Sequence, residues 1–231
     1  MNLFDHPFIV VDCETTGITG KPDGFVAHVV EIGACVVTET GEVLDSLAFF
    51  VRQSPEVLDD PRAARAFEIT GIDRQQVVRD GLPLEIASKV FALWVAAHRN
   101  LHNASEIRAF NQAFDFVFLR APEWNTFSRA RVGEGECLML AAMEIMGPAG
   151  ALPPAPRWAQ DKGQPWKWPR VAEAVAFFNG KGHDIAWGAN SAHRALEDCL
   201  KEAALAVAIE KERFAARQQL HLPLEVGDEA R

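Results

Sequence analysis

The stretch IVVDCETTG, residues Ile9–Gly17, places two carboxylates at the end of an apolar run near the start of the chain. The run predicts a buried strand. Residues i and i+2 of a strand point to the same face, so the side chains of Asp12 and Glu14 should converge while Cys13 faces the core. Converging carboxylates repel each other unless a cation lies between them, which indicates a metal site. A solvated strand end remains the alternative for this motif.

The segments that follow predict a layered α/β domain with a mixed sheet. Two more apolar runs, Val29–Val37 and Val43–Val51, flank a turn at Gly41, and with the first strand they predict an antiparallel meander of three strands. Later segments mix helix and strand. A further strand is predicted at Ile107–Phe110, and helices at Pro61–Ile69, Pro83–His98, Gln112–Arg120, Cys137–Met146, Val171–Phe178 and Ser191–Arg217.

Composition limits the class of protein. The 231 residues are 48% apolar, enough for one domain, which we place at residues 1–217 with a polar tail at 218–231. The net charge of −9 argues against a protein that coats nucleic acid, but not against an enzyme that grips a few phosphates through bound metal. No apolar run approaches the ~20 residues of a membrane span. Four separated cysteines and no predicted signal peptide favour a reduced, cytoplasmic protein.

Two further motifs carry candidate site residues. NQAFD, residues Asn111–Asp115, sets a carboxylate among apolar residues, where it needs a partner; a first-turn aspartate stabilised by the helix dipole is the alternative. HRALED, residues His193–Asp198, places its first and last residues about 140° apart on a helix. They reach one centre only if His193 lies at the frayed helix start. Surface pairs at i,i+4 spacing explain the same residues without a site.

Taken together and in this order, the three motifs resemble those of the DnaQ-like (DEDDh) 3′→5′ exonucleases. Val30–Ala34 resembles the second strand of that family, and Ile69–Ile72 the segment where its members usually carry His-Gly-Ile, with Thr70 in place of the histidine. The resemblance covers about residues 8 to 210. A sister branch has tyrosine in place of the histidine, and this chain contains no tyrosine, so only the histidine branch fits.

The resemblance implies a ribonuclease H-like fold, in which parallel strands extend the meander and helices flank the sheet. It implies stepwise release of nucleoside 5′-monophosphates from 3′ ends. Two divalent cations, Mg²⁺ or Mn²⁺, would be held by four carboxylates, with His193 as general base. The implied ligands are Asp12, Glu14, Asp115 and Asp198. Backbone around Thr15 and Thr16 would cradle the terminal nucleotide, and Asn111 would lie near the scissile strand.

Two segments lie outside these motifs. Gly147–Pro169 holds six prolines and three tryptophans, and we expect a long loop packed by its own aromatics or a substrate-facing flap. We expect at least two of the tryptophans to pack within the loop, although Trp158, Trp166 and Trp168 are all candidates for base stacking.

The other segment is QLHLPL, residues Gln219–Leu224. It resembles the short peptide with which bacterial proteins dock onto the DNA polymerase sliding clamp. Contacts would come from Gln219, Leu220, Leu222 and Leu224, and the substrate would then be DNA rather than RNA. The alternative is that these leucines cover the end of the domain.

Three other functions remain open at this point. An exoribonuclease of the same fold, similar to ribonuclease T or oligoribonuclease, would carry the same five residues. A non-catalytic interaction module would need no intact catalytic set. A metal-dependent hydrolase of another fold is disfavoured by the order of the motifs.

Overall fold

The three apolar runs near the start of the chain pair as an antiparallel meander in the computed structural model, which describes residues 3–20, 24–186 and 194–220. Strand β1 covers Phe8–Thr15, β2 Val29–Val37 and β3 Val43–Arg52. Asp12 pairs with Gly33, and Glu14 with Glu31. Every residue of β2 is buried, as expected for a largely apolar strand in a sheet that is covered on both faces.

Shorter elements complete a six-stranded mixed sheet in the order β4-β3-β2-β1-β5-β6. The added strands pair in parallel, β5 with β1, β6 with β5 and β4 with β3. The remaining elements are α1 (Pro55–Leu58), α2 (Ala64–Thr70), α3 (Arg74–Asp80), β4 (Leu82–Pro83), α4 (Leu84–His102), β5 (Glu106–Ala109), α5 (Gln112–Arg120), α6 (Thr126–Ala130), β6 (Gly133–Cys137), α7 (Leu138–Met146), α8 (Arg157–Gln160), α9 (Val171–Gly180) and α10 (Ala195–Leu220).

Helices cover both faces of the sheet. Because side chains alternate along β1, Phe8 and Val10 enter a core with α7, α9 and α10, whereas Ile9 and Val11 enter one with α4, α5 and α6. Cys13 belongs to the second core and is 3% exposed, as predicted. None of the described helices is long and apolar enough to cross a membrane.

Some predicted elements differ from the observed ones. The helix predicted from Cys137 begins at Leu138, because Cys137 is the last residue of β6 and pairs with β5. Gly147–Pro169 is not structureless: it contains α8 and a bridge between Pro154 and Trp166. The ring of Trp166 packs against Gly147 so closely that any Cβ there would collide with it.

Candidate active site

Three carboxylates from two elements meet near the C-terminal end of β1, a central strand of the sheet. Asp12 and Glu14 project from the same face of β1, and Asp198 projects from the first turn of α10. Oxygens of these three side chains all lie within 4.8 Å of one another. The sequence prediction that Asp12 and Glu14 converge therefore agrees with the geometry, and α10 supplies a third donor.

Asp115 faces the same cavity from α5. Its side chain is 1% exposed, and Oδ1 accepts the backbone N–H of Cys13, between the two acidic residues of β1, at 3.0 Å. Asn111, which precedes α5, has a positive φ of 59°, a conformation that asparagine tolerates better than most residues. All four predicted metal ligands thus line one cavity of about 360 Å³.

The start of α10 is held against β2 by contacts that the motifs did not reveal. Glu31, 2% exposed, accepts two hydrogen bonds from Arg194 Nε at 3.0 Å and one from Nη2 at 2.7 Å. Two residues further along the strand, on the same face, Gly33 lies so close to α10 that a Cβ would collide with the backbone of Ala195 and Leu196. Arg194 therefore pairs with Glu31 of β2. The surface-pair alternative, in which its partner is Asp198, does not describe this arginine.

Burial and mutual repulsion set the electrostatics of the cavity. Burial, followed by the charge of Asp115, raises the pKa of Asp12 well above its usual value. Burial also raises the pKa of Asp115. Burial and then the charge of Asp198 raise the pKa of Glu14 to about 7. Ionised carboxylates in such a cavity need a counter-charge, and the ammonium group of Lys201 supplies part of it by donating to Asp198 Oδ1 at 2.9 Å.

The donor chemistry fits hard divalent cations. The four predicted ligands that line the cavity are carboxylates, the groups that Mg²⁺ and Mn²⁺ prefer. Cys13 also lines the cavity, and its thiol partly opposes the rise in pKa that burial causes in Asp115. Burial raises the pKa of the Cys13 thiol well above its usual value, which disfavours the thiolate form that a softer metal would bind. The residues present are therefore suited to Mg²⁺ or Mn²⁺.

Glu202 is a fifth carboxylate that sequence reasoning missed. It lies one helical turn beyond Asp198, lines the same cavity and is 2% exposed. Its Oε2 accepts the backbone N–H of Phe110, just before Asn111, at 3.1 Å. Burial and then the charge of Asp115 raise the pKa of Glu202. Its i+4 spacing from Asp198 was the available signal.

A larger cavity of about 660 Å³ adjoins the acidic one, and the two share Glu14 and Phe114. Thr15 lines it, and its hydroxyl donates to the Gly17 carbonyl at 2.7 Å. Thr16 lies deeper: it is fully buried, and its backbone N–H donates to the carbonyl oxygen of His28 at 2.9 Å.

The Thr70 position, where the family usually has histidine, also borders this larger cavity. Thr70 is 5% exposed, and its hydroxyl oxygen accepts the N–H of Ile72 at 3.3 Å. The threonine therefore stabilises the turn after α2, and the loop packs without the histidine.

Two of the predicted site regions lie outside the described residues. His193 falls in the segment 187–193, and its role as general base stays a prediction. The same holds for the clamp-like peptide, because the side chains of Gln219 and Leu220 and all of residues 221–231, including Leu222 and Leu224, are outside the described part.

Comparison with solved structures establishes the fold. E. coli exonuclease I in complex with a dT13 oligonucleotide is 16% identical over 94% of this chain and 43% of its own, with a TM-score of 0.63. Exonuclease I from Methylocaldum szegediense is 17% identical over 92% and 43%, with a TM-score of 0.62. A 3′-exonuclease that recognises the histone mRNA stem-loop is 18% identical over 90% and 64%, with a TM-score of 0.57.

These similarities confirm the predicted fold class, a mixed sheet flanked by helices as in known exonucleases. This chain spans less than half the length of the exonuclease I chains it matches. The sequence matches no protein-family model, and no curated protein is similar to it in sequence.

Proposed function

We propose that this protein is a metal-dependent 3′→5′ exonuclease that removes nucleoside 5′-monophosphates from the 3′ ends of nucleic acid. The observation that carries the proposal is the meeting of Asp12, Glu14, Asp115 and Asp198 in one cavity. Three separate elements supply these carboxylates, and the fold that positions them is one shared with exonucleases.

The carboxylates would hold two divalent cations, Mg²⁺ or Mn²⁺. Cations in such a site activate a water nucleophile and offset the negative charge of a phosphodiester and its leaving oxygen. The protein's own contribution is placement: the Cys13 N–H fixes Asp115, and the Glu31–Arg194 pair fixes the start of the helix that carries Asp198. His193 would accept the proton of the attacking water. Histidine suits the role of general base because the unperturbed pKa of its side chain is near neutral.

The 660 Å³ cavity is the proposed site for the terminal nucleoside. Thr15 and Gly17 give it a backbone edge, while Ile18, Ile69 and Phe114 give it apolar walls. Ile18 and Ile69 are 58% and 50% exposed, so an unpaired base entering this cavity would cover them.

We propose DNA as the substrate. The exonuclease I neighbours are described in complex with dT13 and dA16 oligonucleotides, and the clamp-like peptide of the C-terminal tail would place the enzyme at DNA replication or repair. The rival substrate is RNA, because one neighbour of the same fold recognises a histone mRNA stem-loop. RNA discrimination rests on contacts to the 2′-hydroxyl group.

The deciding experiment uses 5′-labelled single-stranded DNA and RNA of one sequence. With Mg²⁺ or Mn²⁺, the labelled DNA should shorten one nucleotide at a time from its 3′ end, and EDTA should stop the reaction. An Asp115→Asn variant purified in parallel controls for contaminating nucleases. Shortening of RNA alone would replace the DNA proposal with the exoribonuclease one. An inert protein that is correctly folded and metal-loaded would leave only a non-catalytic module.

A further inference from the structure

A third cavity, about 250 Å³, adjoins the acidic one through residues that do not line the proposed terminal-nucleoside site. It shares Asn111 and Met139 with the acidic cavity. The acidic cavity shares Glu14 and Phe114 with the larger cavity. The acidic cavity therefore adjoins two other cavities through different residues, as a scissile phosphate adjoins two nucleosides.

Trp168 lines this third cavity, and its environment differs from those of the other two tryptophans in the same segment. Its side chain is 50% exposed beside Asn111. Trp166 instead packs against Gly147 within the core. Trp158 is exposed but lies on α8 over Lys162, whose Nζ is 5.9 Å from the ring centroid. Of the three, only Trp168 lies beside the candidate active site.

Arg170 adds a cation to the same side. Pro169, which separates Trp168 from Arg170, is buried. Trp168 precedes this proline, a position that favours extended backbone. Arg170 is itself extended, at φ −85° and ψ 157°. Positions i and i+2 of an extended segment project to the same side. Arg170 lines the acidic cavity and is exposed. Its charge acts on Glu173, whose side chain accepts the Arg170 backbone N–H, but the ion pair of Glu173 is with Lys167. A guanidinium so placed suits a phosphate.

We propose that Trp168 and Arg170 form the subsite for the penultimate nucleotide of the strand being degraded. The penultimate base stacks on the Trp168 ring, and Arg170 pairs with a backbone phosphate on the 5′ side of the scissile one. Stacking on an aromatic ring tolerates any base but requires a base that has left the duplex. The subsite thus selects for at least two unpaired nucleotides at the 3′ end. This inference rests on the proposed function for the direction in which the strand lies.

The binding test uses 5′-fluorescein-labelled dT10 with Ca²⁺ in place of Mg²⁺, followed by fluorescence anisotropy. Trp168→Ala should weaken binding about 5- to 100-fold, the range expected for one stacked base, and Trp168→Phe should restore most of it. Trp158→Ala, an equally large truncation on the same segment, should change nothing. Inhibition of hydrolysis by dTMP, which fills only the terminal site, should be equal in all variants. Equal affinity of the Trp168→Ala and Trp158→Ala proteins would overturn the subsite.

A substrate change locates the contact. An abasic residue at the penultimate position should weaken binding by the wild type about as much as Trp168→Ala does, and should have little further effect on that variant. Arg170→Ala should lower the slope of log Kd against log salt by about 1, the contribution of one phosphate contact, and Arg157→Ala on α8 should not. If the abasic residue weakens binding by Trp168→Ala as much as it weakens binding by the wild type, the penultimate base contacts a residue other than Trp168.

These measurements separate the subsite from the activity. If dT10 binds with the Trp168 dependence above but no strand is shortened, the exonuclease proposal fails and the binding site stands. If strands are shortened and the Trp168 variants behave like wild type, the exonuclease proposal stands and the subsite fails.

Discussion

Gly33 on β2 and Ala195 at the start of α10 are in backbone contact, with no room between them for a side chain. This contact sets the distance between the strand pair that presents Asp12 and Glu14 and the helix that presents Asp198. The adjacent Glu31–Arg194 pair, closed by a hydrogen bond of 2.7 Å, fixes the same junction electrostatically. Gly33, which is not one of the clustered carboxylates, therefore helps to set the distance between those of β1 and the one on α10.

Gly33→Ala should disturb the proposed metal site although Gly33 lines neither the acidic cavity nor the larger one beside it. The added Cβ forces α10 away from β2, at a cost of about 1–3 kcal/mol in unfolding free energy, and displaces Asp198. The Tm increase caused by Mn²⁺ should shrink in this variant. Gly180→Ala is the matched control, since a Cβ there meets nothing within 4 Å, and its response to Mn²⁺ should equal that of the wild type. An unchanged Mn²⁺ response in Gly33→Ala would show that the junction does not position the site.

Asp12→Asn should stabilise the metal-free protein and abolish its response to metal. Burial and the charge of Asp115 raise the pKa of Asp12, so its ionised form costs free energy in the folded state until a cation binds. The amide has the same shape without the charge. Differential scanning calorimetry in EDTA should give a higher Tm for Asp12→Asn than for wild type. With Mn²⁺ the order should reverse, and cleavage should be lost. Asp161 is exposed, so Asp161→Asn serves as the control and should behave like the wild type. Full activity in Asp12→Asn would contradict the metal mechanism.

His193→Ala should lose most activity while keeping metal affinity. The proposed role of His193 is proton transfer, which contributes about 10²- to 10⁴-fold to a rate, whereas the proposed ligands of the cations are carboxylates. Calorimetric titration of Mn²⁺ should give the same affinity for variant and wild type, with kcat reduced in that range. A parallel loss of affinity and activity would make His193 a ligand.

The tail prediction concerns binding and not catalysis. A Gln219→Ala, Leu222→Ala double variant should lose affinity for a bacterial sliding clamp in surface plasmon resonance, with nuclease activity on short oligonucleotides and Tm unchanged. The reason is that the docking peptide would supply a directional hydrogen bond and an apolar contact in a groove of the clamp. If the leucines instead cover the domain, the double variant should melt earlier and the wild type should not bind the clamp.

Local patterns predicted the elements whose own residues decide them. The runs of β2 and β3 and the helix α5 were located correctly. Burial of a largely apolar set fixes β2 and α5, whereas β3 is mostly exposed and was found from its strand-forming residues after the turn at Gly41. β6, with the sequence GEGEC, was missed since it is a strand only through pairing with β5. The motifs identified four converging carboxylates. Glu31 acts through a tertiary contact with Arg194 that no spacing reveals, and the i+4 spacing of Glu202 from Asp198 was overlooked.

The acid sensitivity of the protein offers a last prediction, which involves the far end of α10. Both terminal nitrogens of Arg213 donate to Glu136 of β6, at 2.8 and 2.7 Å. These hydrogen bonds lower the pKa of Glu136 from its ordinary 4.5, against an opposing effect of burial and with further help from the charges of Arg213 and Arg108. A carboxyl group whose pKa is depressed by folding adds stability above its unfolded pKa, and that stability is lost as the pH falls through the folded value.

Glu136→Gln should therefore unfold more easily than the wild type at pH 7, by at most about 1 kcal/mol because the pair is partly exposed and screened. The difference should stay constant down to about pH 5 and shrink as the pH falls below the unfolded pKa of about 4.5. Urea unfolding at pH 7, 5, 4 and 3 measures it. Glu144 is 66% exposed and makes a single 3.2 Å contact with Arg213, so Glu144→Gln should show a much smaller difference with little dependence on pH. A Glu136→Gln difference that is the same at pH 3 and pH 7 would mean that packing around the side chain, and not its charge, stabilises the contact between β6 and α10.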